Sequence, residues 1–124
     1  MISFTVPLLP PSVNHYKKPN GRGGWFVTDE AKAFINAVWL FCKRQHCDAQ
    51  YYAIQIKVGV TEKQFARGDL DNLAKVSIDA LAASRVIKDD RYVIDLHLSK
   101  YISSEPCTTY RVEEAVLTRD PICV

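Results

Sequence analysis

Apolar residues along this chain fall into blocks whose spacing changes from one segment to the next, and each change marks an expected element. Residues 2 to 8 are extended and apolar. The run breaks at Pro10-Pro11-Ser12, because proline has no amide donor and restricts the residue before it. Thr28-Asp29-Glu30 has the composition of a helix start, a threonine cap followed by two acids that suit the positive end of the helix dipole. The helix it opens runs to about Cys42. Its apolar residues (Ala33, Phe34, Ile35, Ala37, Val38, Trp39, Leu40, Phe41) go most of the way round, wider than a one-sided stripe. Such a helix needs two burying surfaces. One is the sheet, and the other is a second subunit or, equally, the interior of a single deeply embedding chain.

From Ala53 to Val60 the pattern alternates, with Ile54, Ile56, Val58 and Val60 on one face and Gln55, Lys57 and Gly59 on the other, which predicts a half-buried strand. Leu70, Leu73, Ile78 and Leu81 then recur at helical spacing beside Ala74 and predict a second helix over about 70–83. Tyr92 to Lys100 alternates again, Ile94, Leu96 and Leu98 against Asp95, His97 and Ser99, and predicts a third strand. Thr108 to Leu117 has β-type composition and makes a fourth, with Pro121 marking the tail. The sum is an α/β fold with a small mixed sheet of about four strands and two main helices. Residues 1–124 are expected to form one domain.

Between the first strand and the first helix, Asn14 to Trp25 holds Lys17, Lys18, Arg22, three glycines and no acid, with Tyr16 and Trp25 among the cations. This predicts a mobile basic loop. It is either a solvated surface connection or a place where lysine and arginine meet phosphates while an aromatic ring stacks on a base. Gly21-Arg22-Gly23-Gly24 is not a P-loop, since no Gly-Lys-Ser/Thr follows. Sixteen basic against fourteen acidic residues give a net charge of only +2. Were three aspartates committed to a divalent metal, eleven acids would face those sixteen bases, a balance suited to a polyanion.

The longest nearly apolar run, Ala33 to Cys42, falls far short of the roughly 20 residues that cross a bilayer, so no membrane role is expected. The N-terminus lacks the basic start and apolar core of a secretion signal, and a cytoplasmic location is expected by default. Cys42, Cys47, Cys107 and Cys123 are read as reduced thiols, because a chain of this length can build a core without disulfide staples. Cys42, His46, Cys47 and Cys107 match no common zinc framework.

Candidate chemistry concentrates in Arg67-Gly68-Asp69-Leu70-Asp71-Asn72, where a loop becomes a helix. Helix capping alone explains two early aspartates well. Two residues along a helix turn through about 200°, so Asp69 and Asp71 converge on one cation only if Asp69 is extended. Lys75 lies four residues after Asp71, and Asp79 four after Lys75, so the three project from one broad helix face. Lys75 is either a surface ion-pair partner or a cation aimed at a scissile phosphate. Asp89-Asp90 follows the helix, where the returning chain can meet the helix start and add a third carboxylate. Three aspartates and a lysine suit metal-assisted phosphodiester hydrolysis. No cysteine, serine or histidine grouping offers a rival nucleophile.

In their order and spacing these residues resemble the RusA-type Holliday junction resolvases, small homodimeric Mg²⁺-dependent endonucleases of bacteria and their phages. The matching parts are Pro10-Pro11-Ser12-Val13-Asn14, Asp69-Leu70-Asp71-Asn72-Leu73 with Lys75, Asp79-Ala80-Leu81, and Asp89-Asp90 followed by Val93. The resemblance implies that Asp69, Asp71 and Asp90 bind Mg²⁺, with Mn²⁺ as an alternative, and that Lys75 is the catalytic lysine. Asn14 would sit near the site, with Asp89 a neighbour and Asp79 a partner of Lys75 or of the backbone. DNA contacts are expected from Asn14, Lys17, Lys18, Arg22 and Arg67. No small-molecule cofactor is expected. The implied substrate is four-way junction DNA, cut by a homodimer with paired nicks in recombination and repair. Two other readings are a nuclease of this fold acting on other branched or single-stranded DNA, and a DNA-binding module without turnover. The chain departs from the family pattern twice: Phe65-Ala66-Arg67-Gly68 replaces the usual basic cluster before the first aspartate, and Ser84-Arg85 replaces the usual glycine after the second helix.

Overall fold

A computed structural model describes residues 1–119, so Pro121 and Cys123 lie outside the described residues. In chain order the elements are β1 (Ile2–Val6), β2 (Lys17–Pro19), β3 (Trp25–Val27), α1 (Asp29–Phe41), β4 (Tyr52–Val60), α2 (Glu62–Phe65), α3 (Ala74–Ala83), β5 (Val93–Ile102) and β6 (Cys107–Glu114). Strands β1, β6, β4 and β5 form one sheet in that order. The β4–β5 pair is parallel and the other two pairs are antiparallel, so the expected small mixed α/β sheet is present. A parallel pair requires a crossover connection, and here the crossover is α2, the Asp69 segment and α3. The candidate chemistry therefore lies within the crossover.

The alternation in β4 has the expected consequence. Tyr52, Ile54, Ile56, Val58 and Val60 are all buried, and they meet Phe34 and Val38 of α1 and Val76, Ala80 and Leu81 of α3 in one core. Thr28 caps α1 as its sequence predicts, its hydroxyl accepting from the Ala31 amide. Polar contacts tie α3 to the sheet: the buried Tyr110 hydroxyl donates to Ser77 O at 2.9 Å, and the Ser77 hydroxyl donates to Leu73 O at 2.6 Å. The turn that carries Asp71 is thus fastened to a central strand.

Several expectations are corrected. The first strand ends at Val6 rather than residue 8, because Pro7 has no amide to continue the ladder. The second helix begins with a 3-10 turn, Leu70–Leu73, and becomes α-helical only at Ala74. The basic loop is ordered as a hairpin, with Lys17 paired to Val27, Lys18 to Phe26 and Pro19 to Trp25. Its turn is built by Asn20, whose side-chain oxygen accepts from the amides of Arg22 and Gly24, and by Gly21 and Gly23 in left-handed conformations. Thr28 closes the base, donating from its amide to Tyr16 O and from its hydroxyl to His15 O.

Helix α1 is not embedded all round: Ala31, Phe34 and Val38 are buried, whereas Trp39 and Leu40 are 52% and 62% exposed. The apolar face of β5 is also only partly covered, with Ile94 and Leu96 exposed on this edge strand. Arg85 supplies the left-handed residue after α3 despite not being glycine, at φ 61°, and the Val86 amide returns to Leu81 O at 3.0 Å to close the helix end.

Candidate active site

Asp69 is extended, at φ −80° and ψ 143°, which meets the geometric condition for sharing a ligand with Asp71. It occupies the cap position of the Leu70–Leu73 turn, yet its side chain makes no capping hydrogen bond. Both its carboxylate and that of Asp71 in the first turn are exposed. The segment leading to Asp69 is pinned from across the crossover. Lys100 of β5 donates to Phe65 O at 2.8 Å and Gly68 O at 3.2 Å, and its ammonium lies 4.4 Å from the centre of the Phe65 ring.

Lys75 joins the two ends of the crossover. Its Nζ is 3.3 Å from Asp79 on its own helix and 3.6 Å from Asp90 on the returning chain. The negative charge of Asp79, chiefly, with a further contribution from Asp90, holds the ammonium above the ordinary lysine range. Exposed ion pairs of this kind are worth about 0–1 kcal/mol, so stability alone gives little reason for gathering three charges here. The phenol of Tyr16 is pushed up to about 12, by burial first and then by the nearby Asp79 carboxylate. Asp89 serves the backbone: it accepts from the Arg91 amide at 3.1 Å, and that bond is the main cause holding its carboxyl below the usual range. The roles expected for the adjacent acids thus separate, with Asp89 capping the next turn and Asp90 facing Lys75.

The Val13–His15 turn, which carries Asn14, packs against both the Leu70–Leu73 turn and α3. Lys17, Lys18, Arg22 and Arg67 are exposed. Lys75, Ile78, Asp79, Asp90 and Asp95 line an open cleft of about 280 Å³. Among the described residues, no three acidic, histidine or cysteine side chains gather into a closed metal-ligating group. The donor chemistry nonetheless fits Mg²⁺, a hard cation that takes carboxylate oxygen, keeps several waters and is usually held by one or two carboxylates rather than a protein cage. Tyr16 and Lys100 were not singled out by sequence as site residues. Tyr16 stood among the basic residues as a stacking ring, and nothing in the pattern signalled that Asp79 would raise its phenol.

The family model for Endodeoxyribonuclease RusA matches residues 7–113. The chain belongs to the RusA endodeoxyribonuclease family. It is 35% identical over 101 residues to the crossover junction endodeoxyribonuclease RusA of Escherichia coli (strain K12), covering 79% of this chain and 81% of that one. The corresponding protein of Enterobacteria phage 82 is 34% identical over 100 residues, covering 78% and 80%. The RusA match spans the hairpin, the crossover and all three candidate aspartates. Among the described residues, Cys42, Cys47 and Cys107 are free thiols, and no helix is long and apolar enough to cross a membrane.

Proposed function

We propose that this chain is a Mg²⁺-dependent crossover junction endodeoxyribonuclease that resolves four-way DNA junctions as a homodimer in the cytoplasm. Family membership supports the endonuclease activity and the names of its relatives support the substrate. The observation that carries the site is Lys75, held between Asp79 and Asp90 and six residues after an extended Asp69 whose carboxylate makes no cap.

Asp69, Asp71 and Asp90 would hold the metal, with Mn²⁺ as the alternative occupant. When bound, it supplies an activated water and neutralises charge on the leaving oxygen. Lys75 remains a cation throughout the neutral range, because its neighbours raise its pKa. It therefore acts by placing positive charge beside the phosphate as negative charge develops, rather than by taking a proton. Asp79 orients that ammonium. The hairpin with Lys17, Lys18 and Arg22, together with Asn14 and Arg67, contacts the DNA backbone.

Asp71→Asn tests the assignment. Expected is the loss of Mg²⁺-dependent junction cleavage with junction binding retained or tightened, since one negative charge near phosphate is removed. Cleavage near the wild-type rate would leave Asp71 outside the machinery and overturn this assignment of the site.

A further inference from the structure

A cleft of about 860 Å³ shares no lining residue with the cleft of Lys75, Asp79 and Asp90. It forms where the end of α1 and the loop after it meet the end of α3. Trp39, Arg44, His46, Ser84, Arg85 and Lys88 line it, and no acid does.

Three permanent cations around one concavity call for an anion, and guanidinium groups suit phosphate oxygens in particular. Arg44 and Arg85 are both held in left-handed backbone conformations, at φ 59° and 61°, that side chains other than glycine adopt with strain. The loop is fixed to the helix end: His46 Nδ1 donates to Arg85 O at 2.6 Å and the Cys47 amide donates to Val86 O at 2.8 Å. Ser84 lines the same cleft, is only 6% exposed, and its hydroxyl has no hydrogen-bond partner. A buried hydroxyl left without a partner is the exception in folded proteins and marks a place for one. Trp39 stands at the rim with about half its surface open, available for stacking.

The cleft is far larger than a lone phosphate needs and falls in the range of small-molecule sites, roughly 300–1,000 Å³. Phosphate-type donors beside an open indole fit a nucleotide: a phosphodiester on Arg44, Arg85 and Lys88, a base on Trp39. We infer that this cleft binds a nucleotide of the DNA strand that also occupies the active site, an assignment that rests on the nuclease reading above. Ser84 follows Lys75 along α3 by about 13 Å at 1.5 Å per residue. That is about four base steps at 3.4 Å.

The test uses the full chain carrying Trp25→Phe, which leaves Trp39 as its single tryptophan, in EDTA so that turnover plays no part. A thymidine tetranucleotide is expected to quench Trp39 fluorescence. Adding Arg85→Ala with Lys88→Ala should weaken its affinity 10-fold or more, with thermal melting confirming that the variant is folded. Weaker quenching by thymidine monophosphate than by the tetranucleotide supports a substrate strand. Equal affinity for both assigns the cleft to free nucleotides and overturns the strand assignment. Absence of quenching in a protein that still cuts junctions overturns the cleft as a nucleotide site. Sedimentation covers the remaining outcome, because a double variant that changes oligomeric state while keeping oligonucleotide affinity makes this surface a subunit contact and also overturns the inference. Quenching in a protein that cuts no DNA would instead count against the nuclease reading alone.

Discussion

Asp79 is the residue whose role changes most between sequence and structure. At helical spacing from Lys75 it reads as an ordinary surface partner, but its charge is the chief cause holding that ammonium above the ordinary lysine range, and it also raises the phenol of Tyr16 beside the hairpin. Lys75→Gln is therefore expected to lower the single-turnover cleavage rate roughly 100-fold or more, the scale seen when one charge-stabilising donor is removed, while junction affinity changes little. Asp79→Asn should lower the rate less, because Asp90 still faces Lys75. Rates within a few-fold of wild type for Lys75→Gln would remove the lysine from the chemistry. Tyr110 makes a separate prediction about stability. Burial raises its folded pKa above the ordinary phenol value of about 10, so the stabilisation is complete below about pH 10 and is lost as pH rises beyond it. Tyr110→Phe should cost about 1 kcal/mol at neutral pH through the missing bond to Ser77, and should flatten the alkaline fall in melting temperature. An unchanged alkaline slope would place its cause elsewhere.

Among elements, the hairpin matters most, because order there converts scattered cations into a presented edge. Lys17 and Lys18 lie in β2 with both side chains exposed, and the hairpin base is bonded to the cap of α1. Lys17→Ala with Lys18→Ala is expected to weaken junction binding uniformly across sequences. The slope of log affinity against log salt should fall by nearly 2, about 0.9 for each phosphate that is no longer neutralised. An unchanged slope would take β2 out of the interface. The hairpin also shows where sequence reading fails. Its strands are three residues each and its order comes from one asparagine side chain and a threonine that bonds back across the chain, none of which leaves a hydrophobic period. The β4 strand was legible because its alternation is repeated over nine residues and one face is buried throughout. The short α2 was missed, since four residues carry no helical stripe, although Thr61 and Gln64 form a capping box that could have announced it. At the site, the order of Asp69, Asp71, Lys75 and Asp90 was visible, and the extended state of Asp69 was the condition left for structure to meet. Which of Asp89 and Asp90 faces Lys75 was not fixed by spacing, because the two differ only in whether the next turn takes the carboxylate as its cap.

For the whole molecule, one chain carries one set of Asp69, Asp71, Lys75 and Asp90, whereas resolving a junction requires two cuts in opposing strands. A twofold homodimer satisfies that requirement by presenting two copies of the site in fixed relation. The dimer proposal has a consequence that a monomeric nuclease lacks. Heterodimers of one wild-type and one Asp71→Asn subunit, isolated through two different affinity tags, should nick one strand of a junction and stall there, accumulating singly nicked molecules. Wild-type dimers should pass through that species too quickly for it to build up. If the mixed preparation instead yields resolved duplexes at about half the wild-type rate with no excess of nicked junctions, each chain cuts independently, and the paired geometry plays no part in resolution.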